Sequence, residues 1–266
     1  MNIEAIKQIL KKIINRAGFD LVRLKPRIEP AFDAAIPDFS NEEKAIIAKA
    51  RSYTMTSVER LATLLNAVTY VAKNNIPGDI VECGVWRGGS MMVTALTLLA
   101  HGDQSRSLYL YDTFEGMSSP TKRDKSLDGV SAEQQLNQQP RGTGIWCYAS
   151  LEDVRANLLS TGYPADKIHL IKGKVEDTIP SIIPPHLSLL RLDTDWYEST
   201  KHELTHLFPL LDAKGVMIID DYGHWQGART AVDEYLREQN RSVYLHRIDY
   251  TGRILVGNGT TPPANS

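Results

Sequence analysis

The stretch that decides the fold is Ile80-Val81-Glu82-Cys83-Gly84-Val85-Trp86-Arg87-Gly88-Gly89-Ser90. Its first two residues are β-branched, as is common in strands, and its glycines let the backbone turn tightly and approach a ligand. Ser90 and the apolar run behind it are typical of a helix start. A helix that begins at the carboxyl end of a strand is where open α/β sheets bind nucleotide-like ligands.

The spacing of these glycines differs from that of dinucleotide-binding proteins. The chain has G-x-x-x-G-G, whereas the dinucleotide fingerprint is G-x-G-x-x-G. Glu82 also places a negative charge where a pyrophosphate would have to lie. We therefore expect a nucleotide-like ligand that lacks phosphates and carries positive charge.

Strands and helices alternate after this stretch. Further strands are predicted at residues 108–111, 168–171, 187–192, 216–219, 243–248 and 253–256, and helices at residues 58–73, 151–159, 198–211 and 226–239. Five strands interleave with helices and the last two form a hairpin. This order predicts an α/β fold with a seven-stranded sheet, mostly parallel with one antiparallel strand, and helices on both faces.

Length and composition exclude several classes of protein. The 266 residues, of which 42% are hydrophobic, suffice for one large α/β domain with a core. A net charge of −2 does not favour a nucleic-acid partner. Two cysteines cannot form a disulfide framework, which favours a reducing compartment such as the cytoplasm. No apolar run approaches the roughly 18 residues of a membrane span.

Two regions lie outside the regular alternation. Residues 1–50 are predicted to be an N-terminal helical extension of a main domain at residues 51–266. Residues 1–16 have the pattern of a basic amphipathic helix, which could pack on its own domain, on a partner subunit or on a membrane surface. Residues 113–149 are polar and leave the carboxyl end of a strand. We interpret them as a lid over a second substrate, with a disordered insertion as the alternative.

Aspartates gather at two predicted strand ends. Asp193 and Asp195 follow one strand, and Asp220 and Asp221 follow the next. Carboxylates crowded together repel one another unless a cation lies between them, and oxygen ligands suit Mg²⁺ or Ca²⁺. We predict Asp193, Asp220 and Asp221 as metal ligands and Asp195 as a general base. The alternative is that each pair only stabilises a turn or caps a helix.

Asp112 ends the second predicted strand. An acidic residue at this place commonly binds the ribose hydroxyls of a nucleotide, and the alternative is a loop aspartate whose hydrogen bonds are satisfied within the protein. Residues 173–177 follow the third strand and could line an adenine pocket.

Taken together, these residues resemble the TylF-type (macrocin O-methyltransferase) family of sugar O-methyltransferases. The matching stretches are residues 53–57, 78–90, 111–116, 172–180, 192–200 and 215–223. The resemblance implies a class I methyltransferase sheet, S-adenosylmethionine as methyl donor, Mg²⁺ as cofactor and a sugar or polyol hydroxyl as acceptor. It also implies a homodimer or larger homo-oligomer.

The resemblance assigns roles residue by residue. The metal ligands are Asp193, Asp220 and Asp221, and the catalytic base is Asp195. The donor contacts fall on Thr54, Met55, Thr56, Ser57, Glu82, Gly84, Val85, Trp86, Arg87, Gly88, Ser90, Asp112, Val175 and Glu176.

Two other functions remain open at this point. One is a nicotinamide-dependent oxidoreductase, which the glycine spacing disfavours. The other is a non-catalytic binding module that keeps the sheet, which the intact aspartate set disfavours.

Overall fold

The computed structural model describes residues 32–140 and 144–257. The predicted amphipathic helix at residues 1–16 lies outside this part. The chain divides into two compact units, Met1–Ala35 and Ile36–Ser266. In the described part of the first unit, a short helix α1 spans Phe32–Ala35.

The second unit alternates helices and strands. Its helices are α2 (Asn41–Ala50), α3 (Val58–Lys73), α4 (Gly89–Ala100), α5 (Ala132–Asn137), α6 (Leu151–Leu159), α7 (Val175–Thr178), α8 (Tyr197–His206) and α9 (Gln226–Glu238). Its strands are β1 (Asp79–Cys83), β2 (Leu108–Asp112), β3 (Ile168–Lys172), β4 (Leu187–Leu192), β5 (Leu211–Ile219), β6 (His246–Arg247) and β7 (Arg253–Val256).

The seven strands form one sheet in the order β3-β2-β1-β4-β5-β7-β6. Strands β1 to β5 are parallel, and β7 runs antiparallel to both of its neighbours. All six residues of β4 are buried, as expected for a strand that is covered on both faces. The predicted mostly parallel sheet with one antiparallel strand is confirmed.

The register of the central strands places their carboxyl ends side by side. Cys83 of β1 pairs with Leu192 of β4, which pairs in turn with Ile219 of β5. The ladder continues one residue further, because the Asp193 amide donates to the Cys83 carbonyl oxygen at 2.9 Å. The glycine turn after β1 and the aspartates after β4 and β5 therefore meet at one edge of the sheet.

Three of the predicted element bounds were wrong. The helix predicted to run to residue 211 ends at His206, and a 3-10 turn at Phe208–Leu210 follows it, since Pro209 cannot donate a helical hydrogen bond. Leu211 already pairs with Leu187, so β5 begins five residues before the predicted start. The predicted strand at residues 243–248 contains only the two paired residues of β6.

The insertion at residues 113–149 contains a short apolar cluster. Ala132 and Leu136 of α5 are buried against Trp196, Trp225 and Ala228 of the main domain. A 3-10 turn at Gly144–Trp146 packs its apolar side chains on the same cluster. In the described residues the insertion thus folds onto the domain, and its role as a lid remains a prediction.

Within the described ranges, no helix is long and apolar enough to cross a membrane.

Candidate active site

A cavity of about 530 Å³ opens at the carboxyl edge of the sheet. It is bounded by the turn after β1, the ends of β2, β4 and β5, and the insertion. Most of the predicted site residues line it, namely Thr54, Met55, Thr56, Gly84, Val85, Trp86, Ser90, Asp112, Val175, Glu176, Asp193, Asp195, Asp220 and Asp221.

The turn after β1 packs directly against the turn after β4. Gly84 has φ +82, and a Cβ at this position would overlap the carbonyl oxygen of Asp193. Only glycine satisfies both the left-handed backbone and this close approach. The glycine turn and the first aspartate are therefore in backbone contact.

Asp112 organises the same turn from the end of β2. Its Oδ2 accepts hydrogen bonds from the backbone amides of Val85 and Trp86 at 2.7 and 3.0 Å, and its Oδ1 accepts from Phe114 N at 2.8 Å. Burial raises the pKa of Asp112, and these bonds oppose the shift. Asp112 also lines the cavity. Its position therefore fits both interpretations, a ligand of ribose hydroxyls and a loop aspartate with satisfied hydrogen bonds.

Four predicted donor contacts are absent from the lining of this cavity. Ser57 caps α3 and donates to Asp249 at 2.7 Å. Arg87 forms an ion pair with Asp153 at 2.8 Å. Gly88 has φ +84 and packs under Leu158 of α6. The fourth is Glu82, which is 1% exposed and points into the protein.

Glu82 bonds to Arg191, a residue that sequence reasoning missed. The Arg191 side chain is 3% exposed, and its guanidinium also bonds to Asp193 and Asp220, each at 2.6 Å, and to the Thr56 hydroxyl at 3.0 Å. Burial raises the pKa of Glu82 to about 7, with Arg191 opposing the shift. The negative charge noted in the sequence is thus compensated inside the protein rather than presented to a ligand.

Three carboxylates converge on the cavity. Asp193, Asp195 and Asp221 each present an oxygen within 4.8 Å of the others. Asp220 is not part of this group and bonds to Arg60 and Arg191. The structure therefore brings together two of the three predicted metal ligands and the predicted base.

The electrostatics of these three carboxylates favour a cation. Burial and mutual repulsion raise the pKa of Asp193 and of Asp221 well above the usual range. Burial raises the pKa of Asp195 to about 7, and its hydrogen bond with Asp221 opposes the shift. The buried Oδ2 of Asp221 has no hydrogen-bond partner among the described residues. A divalent cation with oxygen ligands would satisfy this atom and relieve the repulsion, so the residues fit Mg²⁺.

Three further residues that line the cavity are not among the predicted site residues. Arg60 of α3 pairs with Asp220 and Asp249. Cys147 lies in the insertion, and burial raises the pKa of its thiol, as do the nearby aspartates. His224 accepts or donates one bond with the Tyr250 hydroxyl at 2.8 Å, and burial lowers its pKa. Arg191 is the one charged residue of β4, whose other five residues are four leucines and a serine, and this was the signal by which the sequence could have identified it.

The sheet order and the site together define a class I methyltransferase, the fold of S-adenosylmethionine-dependent enzymes. Residues 30–255 match the family model described as Macrocin-O-methyltransferase (TylF), and the chain belongs to that family. It is an O-methyltransferase. This assignment argues against the nicotinamide-dependent oxidoreductase.

Two curated relatives illustrate the similarity. The chain is 37% identical over 201 residues to the 8-demethyl-8-(2,3-dimethoxy-alpha-L-rhamnosyl)-tetracenomycin-C 4'-O-methyltransferase of Streptomyces olivaceus, covering 76% of this chain and 74% of the relative. It is 33% identical over 201 residues to the Mycinamicin III 3''-O-methyltransferase of Micromonospora griseorubida, covering 76% and 77%.

The solved structure of the O-methyltransferase NovP is also similar. The two folds superpose with a TM-score of 0.68 at 32% sequence identity, over 77% of this chain and 82% of NovP.

Proposed function

We propose that the protein transfers the methyl group of S-adenosylmethionine to a sugar hydroxyl of a glycosylated natural product, with Mg²⁺ as cofactor. The observation that carries the proposal is the backbone contact between the glycine turn and the aspartate turn in one cavity. The name of the Streptomyces olivaceus relative supports a glycoside as acceptor, because it describes O-methylation of a rhamnosyl compound.

The donor occupies the side of the cavity formed by the turn after β1. Asp112 at the end of β2 binds the ribose hydroxyls, and the residues around Val175 and Glu176 line the adenine pocket. Thr54, Met55 and Thr56 close this side from the N-terminal end of α3. The positive charge of the sulfonium lies toward the acidic residues, which favours it electrostatically.

The acceptor occupies the side formed by the ends of β4 and β5. Asp193 and Asp221 would hold the cation, and Asp195 takes the proton from the attacking hydroxyl. Asp220 would join as a third ligand only by leaving its arginine partners. When bound, Mg²⁺ supplies Lewis acidity that lowers the pKa of a neighbouring hydroxyl.

Methyl transfer also depends on alignment. The acceptor oxygen has to lie in line with the methyl–sulfur bond at roughly 3–3.5 Å. The register of β1, β4 and β5 fixes the donor side and the acidic side relative to each other. Met117, Ile145 and Cys147 of the insertion line the cavity, and a lid that excluded water there would strengthen the electrostatic interactions inside.

Calorimetry and a product assay test this proposal. We expect S-adenosylhomocysteine to bind by isothermal titration calorimetry, whereas NADH does not. Incubation with S-adenosylmethionine and a panel of deoxyhexosyl glycosides should give one methylated product, detected by mass spectrometry. Binding of NADH in place of S-adenosylhomocysteine would contradict the donor assignment. Methylation of free carboxylic acids or amines, with glycosides untouched, would contradict the acceptor class.

A further inference from the structure

Asp124 is a carboxylate buried within the insertion. It is 0% exposed. Its Oδ2 accepts hydrogen bonds from the Thr121 backbone amide at 2.6 Å and from the Thr121 hydroxyl at 2.9 Å. Removing a carboxylate from water costs free energy unless both oxygens are hydrogen-bonded, so the contacts of the second oxygen are informative.

That second oxygen reaches the turn that carries the proposed base. Asp124 Oδ1 accepts a hydrogen bond from the Tyr197 amide at 2.8 Å. Tyr197 is the first residue of α8 and stands two residues after Asp195. The N-cap residue of this helix, Trp196, makes no side-chain cap bond. Asp124 therefore satisfies an amide at the helix N-terminus that would otherwise lack a partner, and its negative charge suits the helix dipole.

Two more contacts join the insertion to the same turn. The indole Nε1 of Trp196 donates to the Ser118 carbonyl oxygen at 3.1 Å. The guanidinium of Arg123 lies over the Tyr197 ring, 4.1 Å from its centroid. Asp195 itself has φ +70, a conformation that non-glycine residues seldom adopt. The turn therefore depends on its neighbours to keep this shape.

Helix α9 closes the other side of Asp124. A Cβ at Gly227 would overlap Asp124 Oδ1, so glycine is what allows the carboxylate to lie there. The preceding residue, Gln226, donates its amide to the Lys125 carbonyl oxygen at 2.8 Å. The segment around Asp124 is thus seated between the first turns of α8 and α9, the helices that follow the two aspartate-bearing strands.

From these contacts we infer that Asp124 is a positioning residue of the methyl-transfer site. It ties the insertion to the Asp193–Tyr197 turn and fixes the direction in which Asp195 points. This inference rests on the proposed function, in which Asp195 takes the acceptor's proton. It makes residues 118–132 part of the catalytic framework, in addition to any role in covering the cavity.

The test compares Asp124→Asn and Asp124→Ala with Glu133→Gln, an exposed carboxylate in the same insertion. Asparagine replaces one accepting oxygen by a donor, so it cannot serve both Thr121 and Tyr197 as before. We expect both Asp124 variants to lower kcat for the glycoside by about 10- to 100-fold, since a misplacement of about 1 Å at a reacting group costs that much. Glu133→Gln should keep the wild-type kcat.

Donor binding separates positioning from misfolding. Titration with S-adenosylhomocysteine should give unchanged affinity and stoichiometry in the Asp124 variants. Unchanged stoichiometry means that all molecules are folded, so the lower kcat is a property of the folded enzyme. Hydrogen–deuterium exchange of a peptide covering residues 194–200 should be faster in Asp124→Asn than in wild type and Glu133→Gln. An unchanged kcat in Asp124→Asn, or a binding stoichiometry that falls in parallel with kcat, would overturn the inference.

Gly227→Ala is a second variant. It leaves Asp124 in the sequence, but the added Cβ moves the Asp124 carboxylate away from its place. It should also lower kcat with donor affinity retained. In the Asp124→Ala background it should cost less, because the overlap with Asp124 Oδ1 disappears and only the tight contact with the Tyr197 amide nitrogen, 3.1 Å from the added Cβ, remains. Such coupling is read from a double-mutant cycle. Strictly additive losses would argue against the inference. If the wild type methylates no hydroxyl, the proposed function fails, whereas the exchange experiment still reports on the contact between Asp124 and the turn.

Discussion

At the scale of single residues, a buried arginine connects the acidic residues on the two sides of the site. Arg191 contacts Glu82 on the donor side and Asp193 and Asp220 on the acceptor side, and it is almost completely buried. A buried charge of this kind stabilises the fold only while its partners are present.

We expect Arg191→Met to lower the free energy of unfolding by about 3–5 kcal/mol, because it leaves buried carboxylates without a counter-charge. Urea denaturation measures this change. The matched control is Arg229→Met, which removes an exposed ion pair with Asp233 and should cost about 0–1 kcal/mol. Equal losses in the two variants would show that the Arg191 contacts add nothing beyond a surface pair.

The sequence predicted which residues line the cavity better than it predicted their hydrogen-bond partners. Asp193, Asp195 and Asp221 meet at strand ends that lie side by side, whereas Asp220, which was predicted as a ligand, pairs with Arg60 and Arg191. Glu82 does not face the cavity, since β1 directs it toward Arg191 on the neighbouring β4. Residue type and spacing locate such groups, but which way a side chain points depends on the register between strands that are distant in the sequence.

At the scale of elements, the glycine turn after β1 determines how closely donor and acceptor sides approach. Gly84 combines a left-handed backbone with contact to the Asp193 carbonyl. Gly102, in the turn after α4, has a similar φ of +71, but a Cβ added there would meet no atom within 4 Å. An alanine at Gly102 therefore introduces backbone strain alone, whereas an alanine at Gly84 introduces both strain and steric overlap.

Gly102→Ala should cost about 1–2 kcal/mol, the strain of a left-handed non-glycine residue. Gly84→Ala should cost more and should also weaken the binding of S-adenosylhomocysteine, because the turn has to move away from Asp193. Urea denaturation and calorimetry give the two quantities. If Gly84→Ala bound the donor like wild type, the close approach of the two turns would not matter for the donor site.

The second element is the insertion at residues 113–149, whose buried and exposed leucines can be compared. Leu136 of α5 is 3% exposed in the cluster with Trp196 and Trp225, whereas Leu127 of the same insertion is 50% exposed. We expect Leu136→Ala to destabilise by about 2–5 kcal/mol and to raise KM for the glycoside. Leu127→Ala should change neither quantity. A raised KM for the donor instead of the glycoside would contradict the predicted role of the insertion as a lid over the acceptor.

The sequence was sufficient to predict the strands and helices of the sheet, but not where several of them begin and end. The parallel sheet follows from apolar strands alternating with helices. The early start of β5 was hidden because Asp212 and Lys214 interrupt its apolar pattern, and residues 212–215 form an irregularity between the Leu187–Leu211 and Leu189–Val216 pairs. The apolar cluster of the insertion was missed because Ala132 and Leu136 are isolated within polar sequence and find their partners only in the folded chain.

At the scale of the whole molecule, the acidic cluster links cation binding to stability. A ligand that binds only the folded state raises its stability, by about 2.7 kcal/mol at a concentration 100 times Kd. We expect millimolar Mg²⁺ to raise the melting temperature of the wild type, because it relieves repulsion among Asp193, Asp195 and Asp221. Asp221→Asn should lose this response, and the exposed Asp233→Asn should keep it. A response of the same size in both variants would place the cation elsewhere.

The central claim is that one cavity joins a methyl donor to a hydroxyl activated by the aspartates after β4 and β5. The most direct test is transfer of a deuterated methyl group from labelled S-adenosylmethionine to a glycoside, followed by mass spectrometry. The wild type should transfer the label to one hydroxyl, and chelation should stop the transfer until Mg²⁺ is restored. Asp195→Asn should be slower by about 100- to 10,000-fold, with S-adenosylhomocysteine still bound. Undiminished transfer in the chelated enzyme and in Asp195→Asn would contradict the account.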